Sequence, residues 1–201
     1  MDHLRASDEV MRALVEQHGT LSVAKRRRGR PRDAYGTLVR SIVGQQLSTK
    51  AAATIYARVL DLFDGNVPTP AQLIATPPDS LRTAGLSRAK VAYLRDLAER
   101  VEDGDLDLDH LAQLSDAQVS EQLTAIKGIG QWSADMFMIF HLGRPDVLAV
   151  GDLGIRRAAE RAYGLPKIPD AATLTRIAEP WRPYRSLACL YLWASLDNAP
   201  V

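Results

Sequence analysis

Two glycines between two helical patterns constrain this chain more than any other feature. Gly128 and Gly130 interrupt the stretch LTAIKGIGQWSADMFMIF, in which apolar residues recur at helical spacing on both sides. Glycine allows positive φ and leaves backbone N–H groups uncovered, and the N–H groups that begin the second helix lie at the positive end of its dipole. The pattern predicts a helix–hairpin–helix over residues 123–142 whose turn binds a phosphate. A plain helix–helix turn is the alternative, which a bare G-x-G motif would favour.

The rest of the chain also has helical patterns, which are separated by glycine, proline and capping residues. No stretch alternates apolar and polar residues over the length of a strand, so we expect an all-α protein. Periodicity and capping signals predict the following helices and turns. They are a helix over 7–18 capped by Ser7, one over 33–46, one capped by Ser48 or Thr49 and running to Phe63, short helices opened by Thr69-Pro70 and Pro77-Pro78, one capped by Ser87, a solvated acidic turn over 99–109, a capping box of Ser115 and Gln118 before the hairpin, and helices from Asp152 to Tyr163, from Asp170, and over 184–196.

Composition excludes several classes of protein. Hydrophobic residues make up 46% of the chain, which is enough for a packed core and excludes wholesale disorder. One cysteine, Cys189, can form no intrachain disulfide and cannot supply the four ligands of an iron–sulfur cluster, and we expect it to be a buried small hydrophobe. The four scattered histidines offer no metal-binding spacing. Without a membrane-length apolar run or a signal peptide, we expect an intracellular protein, in the cytoplasm or nucleoid, or in the nucleus of a eukaryote.

A net charge of +1 is too small to indicate nucleic-acid binding, so the distribution of charge matters more. Six basic residues lie within Lys25–Arg32. We interpret this segment as a solvated connector that touches phosphates non-specifically. The alternative is an insertion into the minor groove, because the core of the segment resembles an AT-hook.

Three separated motifs resemble the helix-hairpin-helix (HhH-GPD) DNA glycosylase superfamily. They are the hairpin with Trp132 after it and Asp152 at the end of a Gly/Pro-punctuated connection, the segment Leu38–Ala53, and the segment Pro180–Trp193. The form IKGIGQWSAD is similar to the 3-methyladenine DNA glycosylase II branch. The resemblance implies two helical lobes, residues 1–47 with 144–201 and residues 48–143, with the DNA groove between them. About 35 residues precede the matched region, so we expect no additional N-terminal sheet domain.

The resemblance makes Asp152 the catalytic aspartate. By local sequence alone, an N-cap of the following helix is the better interpretation, but the two roles are compatible. Breaking an N-glycosidic bond builds positive charge on the sugar, which a fixed carboxylate stabilises while it orients or deprotonates water. Bifunctional relatives carry a nucleophilic lysine where this chain has Trp132, with Lys127 on the other side of the glycines. We therefore expect a monofunctional enzyme without lyase activity.

The resemblance also implies contacts to the base and to the DNA. Base-pocket residues would be Trp132, Met136, Leu153 and Trp193, although for Trp132 and Trp193 a plain core role is the alternative. DNA-binding residues would be Gln46, Leu47, Ser48, Lys127, Gly128, Gly130 and Ser133. Of these, Gln46 or Leu47 would fill the gap left by the rotated nucleotide; packing of Leu47 beneath the turn is the alternative. Backbone carbonyls of Thr124, Ile126 and Ile129 would hold a structural sodium or potassium ion.

These features predict a glycosylase that removes alkylated bases from double-stranded DNA, acting as a monomer without a required cofactor and without membrane contact. Cationic bases such as 3-methyladenine and 7-methylguanine should be released readily, with 1-methyladenine and 3-methylcytosine as further candidates, whereas neutral hypoxanthine and uracil should be poor substrates. The alternatives are a non-catalytic helix-hairpin-helix DNA-binding module, a glycosylase of the same fold for mismatched or oxidised bases, and a helical protein-interaction domain.

Overall fold

The computed structural model describes residues 1–23 and 31–196, and within them every regular element is helical, without a β-strand. The α-helices are α1 Asp2–Ser7, α2 Glu9–His18, α3 Ala34–Gly44, α4 Thr49–Asp61, α5 Pro70–Ala75, α6 Pro78–Thr83, α7 Arg88–Glu102, α8 Asp116–Thr124, α9 Gln131–Phe137, α10 Leu153–Ala162, α11 Ala171–Ile177 and α12 Arg185–Ser195. Short 3₁₀ turns lie at His110–Gln113 and Glu179–Trp181. The predicted all-α class is confirmed, whereas residues 25–30 of the basic segment lie outside the described residues.

Side-chain caps explain where most of these helices begin. The Ser48 hydroxyl accepts a hydrogen bond from the Ala51 N–H, and Ser87 caps α7 in the same way. Ser115 and Gln118 form the predicted capping box at the start of α8. Each cap satisfies an N–H group that has no acceptor within its own helix, a contribution of about 1 kcal/mol.

Two details of the helix prediction were wrong. Asp8, not Ser7, caps α2, because its Oδ1 accepts the Met11 N–H at 2.7 Å, and Ser7 belongs to a separate helix, α1. The predicted acidic turn begins later than residue 99, because α7 continues to Glu102. Buried Leu94, Leu97 and Ala98 hold this last part of α7 in the core, and their packing outweighs the acidity of its exposed face.

The described residues form two compact units, 1–23 with 135–196 and 31–134. In the first unit, α12 is the central helix: it packs against α2 and α10, and its residues Ala188 to Trp193 are buried. In the second unit, α7 packs against α3, α5 and α6. These boundaries differ from those of the predicted lobes, and the division into lobes along a DNA groove stays a prediction.

Helix α9 continues beyond Phe137 as a π-helical turn, Met138–Leu142, which Gly143 ends with φ +70°. The rings of Phe137 and His141 stack at this turn, with centroids 4.6 Å apart. Such π-helical turns are uncommon and often lie near functional sites. No helix within the described residues is long and apolar enough to cross a membrane.

Candidate functional site

The carboxylate of Asp152 is held in place from two directions. Its Oδ1 accepts the Ile155 N–H at 2.8 Å, which caps α10 as predicted. The same oxygen accepts the indole N–H of Trp193 at 3.0 Å, although Trp193 lies on α12. Only 8% of the surface of Asp152 is exposed, and the N-terminus of α10 favours negative charge at this position. The geometry supplies a carboxyl group that is fixed in position and largely buried.

The connection that leads to Asp152 is fixed by the start of α12. The Ser186 hydroxyl donates to the Arg144 carbonyl at 2.7 Å and accepts the Val147 N–H at 2.9 Å. The Arg185 guanidinium donates to both carboxylate oxygens of Asp146. Burial raises the pKa of Asp146, but the hydrogen bonds and charge of Arg185 outweigh burial and hold that pKa below its usual range. These contacts fix the backbone of the segment that precedes Asp152, the candidate catalytic residue.

Gly154 and Cys189 have structural roles near Asp152. A Cβ added to Gly154 would lie 3.0 Å from Asp152 Oδ1 and 3.5 Å from Trp193 Cδ1, so the glycine leaves room for their hydrogen bond. Cys189 is fully buried, and burial raises the pKa of its thiol to about 12. A protonated, inaccessible thiol is unreactive, which agrees with the prediction of a buried small hydrophobe.

The hairpin between α8 and α9 presents backbone N–H groups as the sequence predicted. Gly128 has φ +80°, and a Cβ there would collide with the Tyr93 ring, so both its conformation and its packing require glycine. Gly130 is open, since an added Cβ would meet nothing within 4 Å. Among the described residues, the N–H groups of these two glycines have no hydrogen-bond acceptor. The turn can therefore receive an anion through its backbone.

Lys127, at the start of the hairpin, is tied to a buried carboxylate. Asp96 Oδ2 accepts the Lys127 backbone N–H at 2.9 Å, and Asp96 Oδ1 lies 3.0 Å from Lys127 Nζ. Burial raises the pKa of Asp96, but the hydrogen bonds from Lys127 and Arg100 outweigh burial and lower it. The Lys127 side chain is 69% exposed, so its ammonium can face a phosphate while it remains paired. Its predicted role in DNA binding stays a prediction.

The turn after α3 carries the residues predicted to enter the DNA. Gln46 is exposed and has φ +57°, an unusual conformation for a residue other than glycine. Leu47 is 36% exposed, an uncovered apolar side chain at the tip of the turn. The Ser48 hydroxyl caps α4. The structure thus exposes both candidates for the inserted side chain without choosing between them.

The predicted base-contact residues differ in exposure. Trp132 and Leu153 are large apolar residues that are 43% and 49% exposed, and Met136 is partly exposed, one helical turn after Trp132 on α9. Trp193 is buried, and its ring stacks on Phe140 with centroids 5.8 Å apart. Ser133, predicted to bind DNA, is 8% exposed. Asp152, Leu153 and Trp193 lie together in the first unit, and all these roles stay predictions.

The carbonyls predicted to hold an ion differ in their hydrogen bonding. The Ile126 carbonyl accepts the Ile129 N–H at 3.0 Å, whereas those of Thr124 and Ile129 receive no hydrogen bond from any described residue. The Thr124 carbonyl lies at the end of α8 and the Ile129 carbonyl in the hairpin, and their predicted role in holding an ion stays a prediction. No group of three or more His, Cys, Asp or Glu side chains within residues 1–23 and 31–196 could hold a metal ion.

Sequence reasoning missed the residues that fix the site without touching a substrate. Asp96 and Ser186 act through hydrogen bonds to residues 31 and 42 positions away. Gly154 acts by lacking a side chain, which leaves room for Trp193 of α12. The residue types of Gly154 and Ser186 carry no local signal for these roles. Of the three, only Asp96 gives a signal in the sequence, because it is an acidic residue at a core position of the amphipathic helix α7.

Comparisons with known proteins identify the family. Residues 39–183 match the family described as HhH-GPD superfamily base excision DNA repair protein. The chain is 34% identical over 193 residues to DNA-3-methyladenine glycosylase 1 of Schizosaccharomyces pombe, and the alignment covers 95% of this chain and 84% of that protein. The predicted similarity to the 3-methyladenine DNA glycosylase branch is confirmed.

Two solved structures share the fold. A DNA-3-methyladenine glycosidase of Bacillus halodurans is 42% identical with a TM-score of 0.86, covering 96% of this chain and 87% of that one. The 3-methyladenine DNA glycosylase of Schizosaccharomyces pombe, solved in complex with abasic DNA, is 33% identical with a TM-score of 0.86, covering 98% and 96%. The chain therefore belongs to the HhH-GPD superfamily of base excision DNA repair proteins.

Proposed function

We propose that this protein is a monofunctional DNA glycosylase that hydrolyses the N-glycosidic bond of alkylated bases in double-stranded DNA. The observation that carries the proposal is the buried Asp152 carboxylate, capped by the Ile155 N–H and held by the Trp193 indole. Relatives named for 3-methyladenine excision, over nearly the whole chain, support the same activity. DNA is accordingly its partner, and we propose that it acts as a monomer.

Asp152 would act on the sugar of the damaged nucleotide. As the bond between C1′ and the base nitrogen breaks, positive charge develops on C1′ and the ring oxygen. A fixed carboxylate stabilises that charge, and it can accept a proton from the water whose oxygen forms the new bond to C1′. A cationic alkylated base leaves with the electron pair of the broken bond and becomes neutral, so no general acid is needed.

Trp132 supports the monofunctional assignment. It follows GIGQ at the position where bifunctional relatives carry the lysine that forms a Schiff base, and indole nitrogen is not a nucleophile of that kind. The product would be an abasic site in an intact strand. Lys127 is the nearest lysine in sequence, and its ammonium is paired with Asp96.

Three groups of residues are proposed to contact the DNA. Gly128 and Gly130, with Lys127 and Ser133, would receive a backbone phosphate at the hairpin, where a sodium or potassium ion on the Thr124, Ile126 and Ile129 carbonyls would add positive charge. Gln46 or Leu47 would fill the space left by the extruded nucleotide, beside Ser48. Trp132, Met136, Leu153 and Trp193 are the proposed contacts to the base, which these apolar side chains would select by charge more than by hydrogen bonding.

A panel of duplex oligonucleotides, each carrying one lesion, tests the proposal through abasic-site formation under single-turnover conditions. The lesions should be 3-methyladenine, 7-methylguanine, 1-methyladenine, 3-methylcytosine, hypoxanthine and uracil. We expect the cationic bases to be excised and the two neutral bases to be excised slowly. A hypoxanthine rate equal to or above the 3-methyladenine rate would contradict selection by charge, and no excision of any lesion would contradict the activity.

A further inference from the structure

One face of α7 contacts both segments of the second unit that are proposed to bind DNA. Lys90, Tyr93 and Asp96 are spaced three residues apart, so their side chains lie along one side of the helix. Lys90 contacts the turn after α3, whereas Tyr93 and Asp96 contact the hairpin.

Lys90 binds the end of α3. Its ammonium donates two hydrogen bonds, both of 2.7 Å, to the carbonyls of Val43 and Gln45. Because α3 ends at Gly44, these carbonyls lie at the negative end of its dipole, where a cation is favourable. The Lys90 side chain is partly buried, and this burial lowers its pKa.

The two hydrogen bonds from Lys90 form a clamp on the end of α3. Gln46, the residue next to this clamp, has a strained backbone. Gln46 follows Gln45 directly and has φ +57°, which costs on the order of 1 kcal/mol or more for a residue with a Cβ. The two carbonyls that Lys90 binds precede this residue, and the Leu47 N–H closes the turn on the Gly44 carbonyl at 3.3 Å. The clamp therefore holds the exposed Gln46–Leu47 tip in a conformation that the chain alone disfavours.

The same turn is joined to the hairpin. Gln45 Nε2 donates to the Gly128 carbonyl at 2.9 Å, across 83 residues of sequence. The Tyr93 ring also packs against Gly128, where it occupies the space that a Cβ would need. Asp96 completes the connection by accepting the backbone N–H of Lys127. The tip and the hairpin are thus fixed to one helix and to each other.

We propose that Lys90 and Asp96, with Tyr93 between them, are positioning residues that hold the Gln46–Leu47 tip at a fixed spacing from the phosphate-binding hairpin. DNA bound at the hairpin would then present the same nucleotide position to the tip each time. A tip held in that position would favour a duplex in which the base is already missing there, because the tip can fill the empty space. The inference rests on the proposed function, because that function assigns the tip and the hairpin to DNA. A purely structural clamp would instead contribute stability without affecting the preference between duplexes.

The test compares binding to two duplexes that differ in one nucleotide, an intact one and one with a tetrahydrofuran abasic-site analogue. Wild-type protein should bind the abasic duplex more tightly. In Lys90→Met, we expect the ratio of the two affinities to fall about fivefold or more, with affinity for intact DNA within about twofold, since the hairpin remains. Lys90→Arg should restore part of the ratio, because an arginine on α7 can bind two carbonyls at once. Arg95, on the same helix as Lys90, donates to the carbonyls of Ile74 and Thr76.

Arg88→Met is the matched control, since it removes one exposed positive charge from the same helix. It should leave the ratio unchanged, even if lost charge weakens both affinities alike. A Lys90→Met protein with an unchanged ratio, or with both affinities reduced by the same factor, would overturn the proposal. If Lys90→Met does not fold, Gln45→Leu removes only the side-chain bond to Gly128, and it should lower the ratio in the same direction.

A double-mutant cycle separates positioning from a general structural effect. If Lys90 acts through the tip, Lys90→Met should change the ratio by less than about twofold in a background of Gln46→Ala and Leu47→Ala, because contacts that act together are not additive. Full additivity would overturn the proposal. The failure of the proposed function is distinguishable, because it would appear as no excision in the lesion panel, whereas the binding ratio is measured without excision. A wild-type protein that showed no preference for the abasic duplex would overturn the inference.

Discussion

The indole N–H of Trp193 donates to Oδ1 of Asp152 at 3.0 Å, joining α12 to the N-terminus of α10. Asp152 is 8% exposed, and Trp193 is buried against Phe140. The carboxylate therefore has its position set by a rigid aromatic group and not only by the cap to Ile155. This relationship gives Trp193 a positioning role beside its proposed contact to the base.

Replacing Asp152 with asparagine should remove most activity and leave DNA binding in place. The amide keeps the size and its oxygen can still cap α10, but it carries no negative charge to stabilise the developing cation. We expect single-turnover excision of 3-methyladenine to fall about 100- to 1,000-fold, with affinity for an abasic duplex changed by less than about threefold. Near wild-type excision by Asp152→Asn would contradict the catalytic assignment.

Replacing Trp193 with phenylalanine should slow excision through the lost indole N–H. The aromatic ring remains to pack on Phe140, while a charge-assisted hydrogen bond to Asp152, worth about 1.5–3 kcal/mol, is lost. We expect a single-turnover rate about 10- to 100-fold lower, measured at saturating enzyme.

Trp181→Phe is the matched control for that variant. The buried Trp181 indole also donates to a carboxylate in the same unit, but to Asp8 Oδ2, at 2.9 Å, and not to Asp152. Both variants should lower the melting temperature, whereas only Trp193→Phe should lower the rate. Equal rate losses in the two variants would show that the effect arises from stability alone.

Gly154→Ala should slow excision without lowering the stability of the protein. Alanine has a higher helix propensity than glycine, by about 1 kcal/mol in a helix interior and by less at the second position of α10, but its Cβ would lie 3.0 Å from Asp152 Oδ1. The carboxylate must shift by a few tenths of an ångström, and we expect about a tenfold slower excision without a lower melting temperature. At Gly151 an added Cβ meets nothing within 4 Å, so Gly151→Ala should keep the wild-type rate.

Much of the fold could be predicted because its helices begin at local capping signals and bury regular apolar stripes. Ser48, Ser87 and the box of Ser115 and Gln118 act within three residues of themselves, so their effect is written in the adjacent sequence. The error at Ser7 arose because Asp8 is an equally good cap one residue later. Local signals do not choose between adjacent caps when tertiary packing favours one of them.

The candidate site was only partly predictable for a physical reason. The hairpin glycines and Asp152 belong to short motifs, and their residue types are dictated by backbone conformation and charge. The clamp by Lys90 joins positions 45 and 47 residues apart, and the bond from Trp193 to Asp152 spans 41 residues. Such contacts depend on how helices pack, and no periodicity in a single sequence encodes them.

A borohydride trapping assay tests the monofunctional assignment. Reduction captures a Schiff base between a lysine and C1′, and Trp132 stands where that lysine would be. We expect abasic sites without strand nicks and no covalent protein–DNA complex, with a bifunctional glycosylase as the positive control. A trapped complex that is lost in Lys127→Ala would contradict the assignment and identify the nucleophile.

Gly130→Leu should weaken binding to intact and abasic DNA by the same factor, because it would obstruct the proposed phosphate contact, which carries no base information. Hydrogen bonds from backbone N–H groups to a charged phosphate contribute about 1.5–3 kcal/mol, so losing one should reduce affinity about 10- to 100-fold. The fold should tolerate the change, since Gly130 lacks a positive φ and an added Cβ there meets nothing within 4 Å. Gly128 offers no such test, because a side chain there would collide with Tyr93. Gly130→Ala should give a smaller loss in the same direction. Unequal losses on the two duplexes, measured by fluorescence anisotropy, would count against a phosphate contact at Gly130.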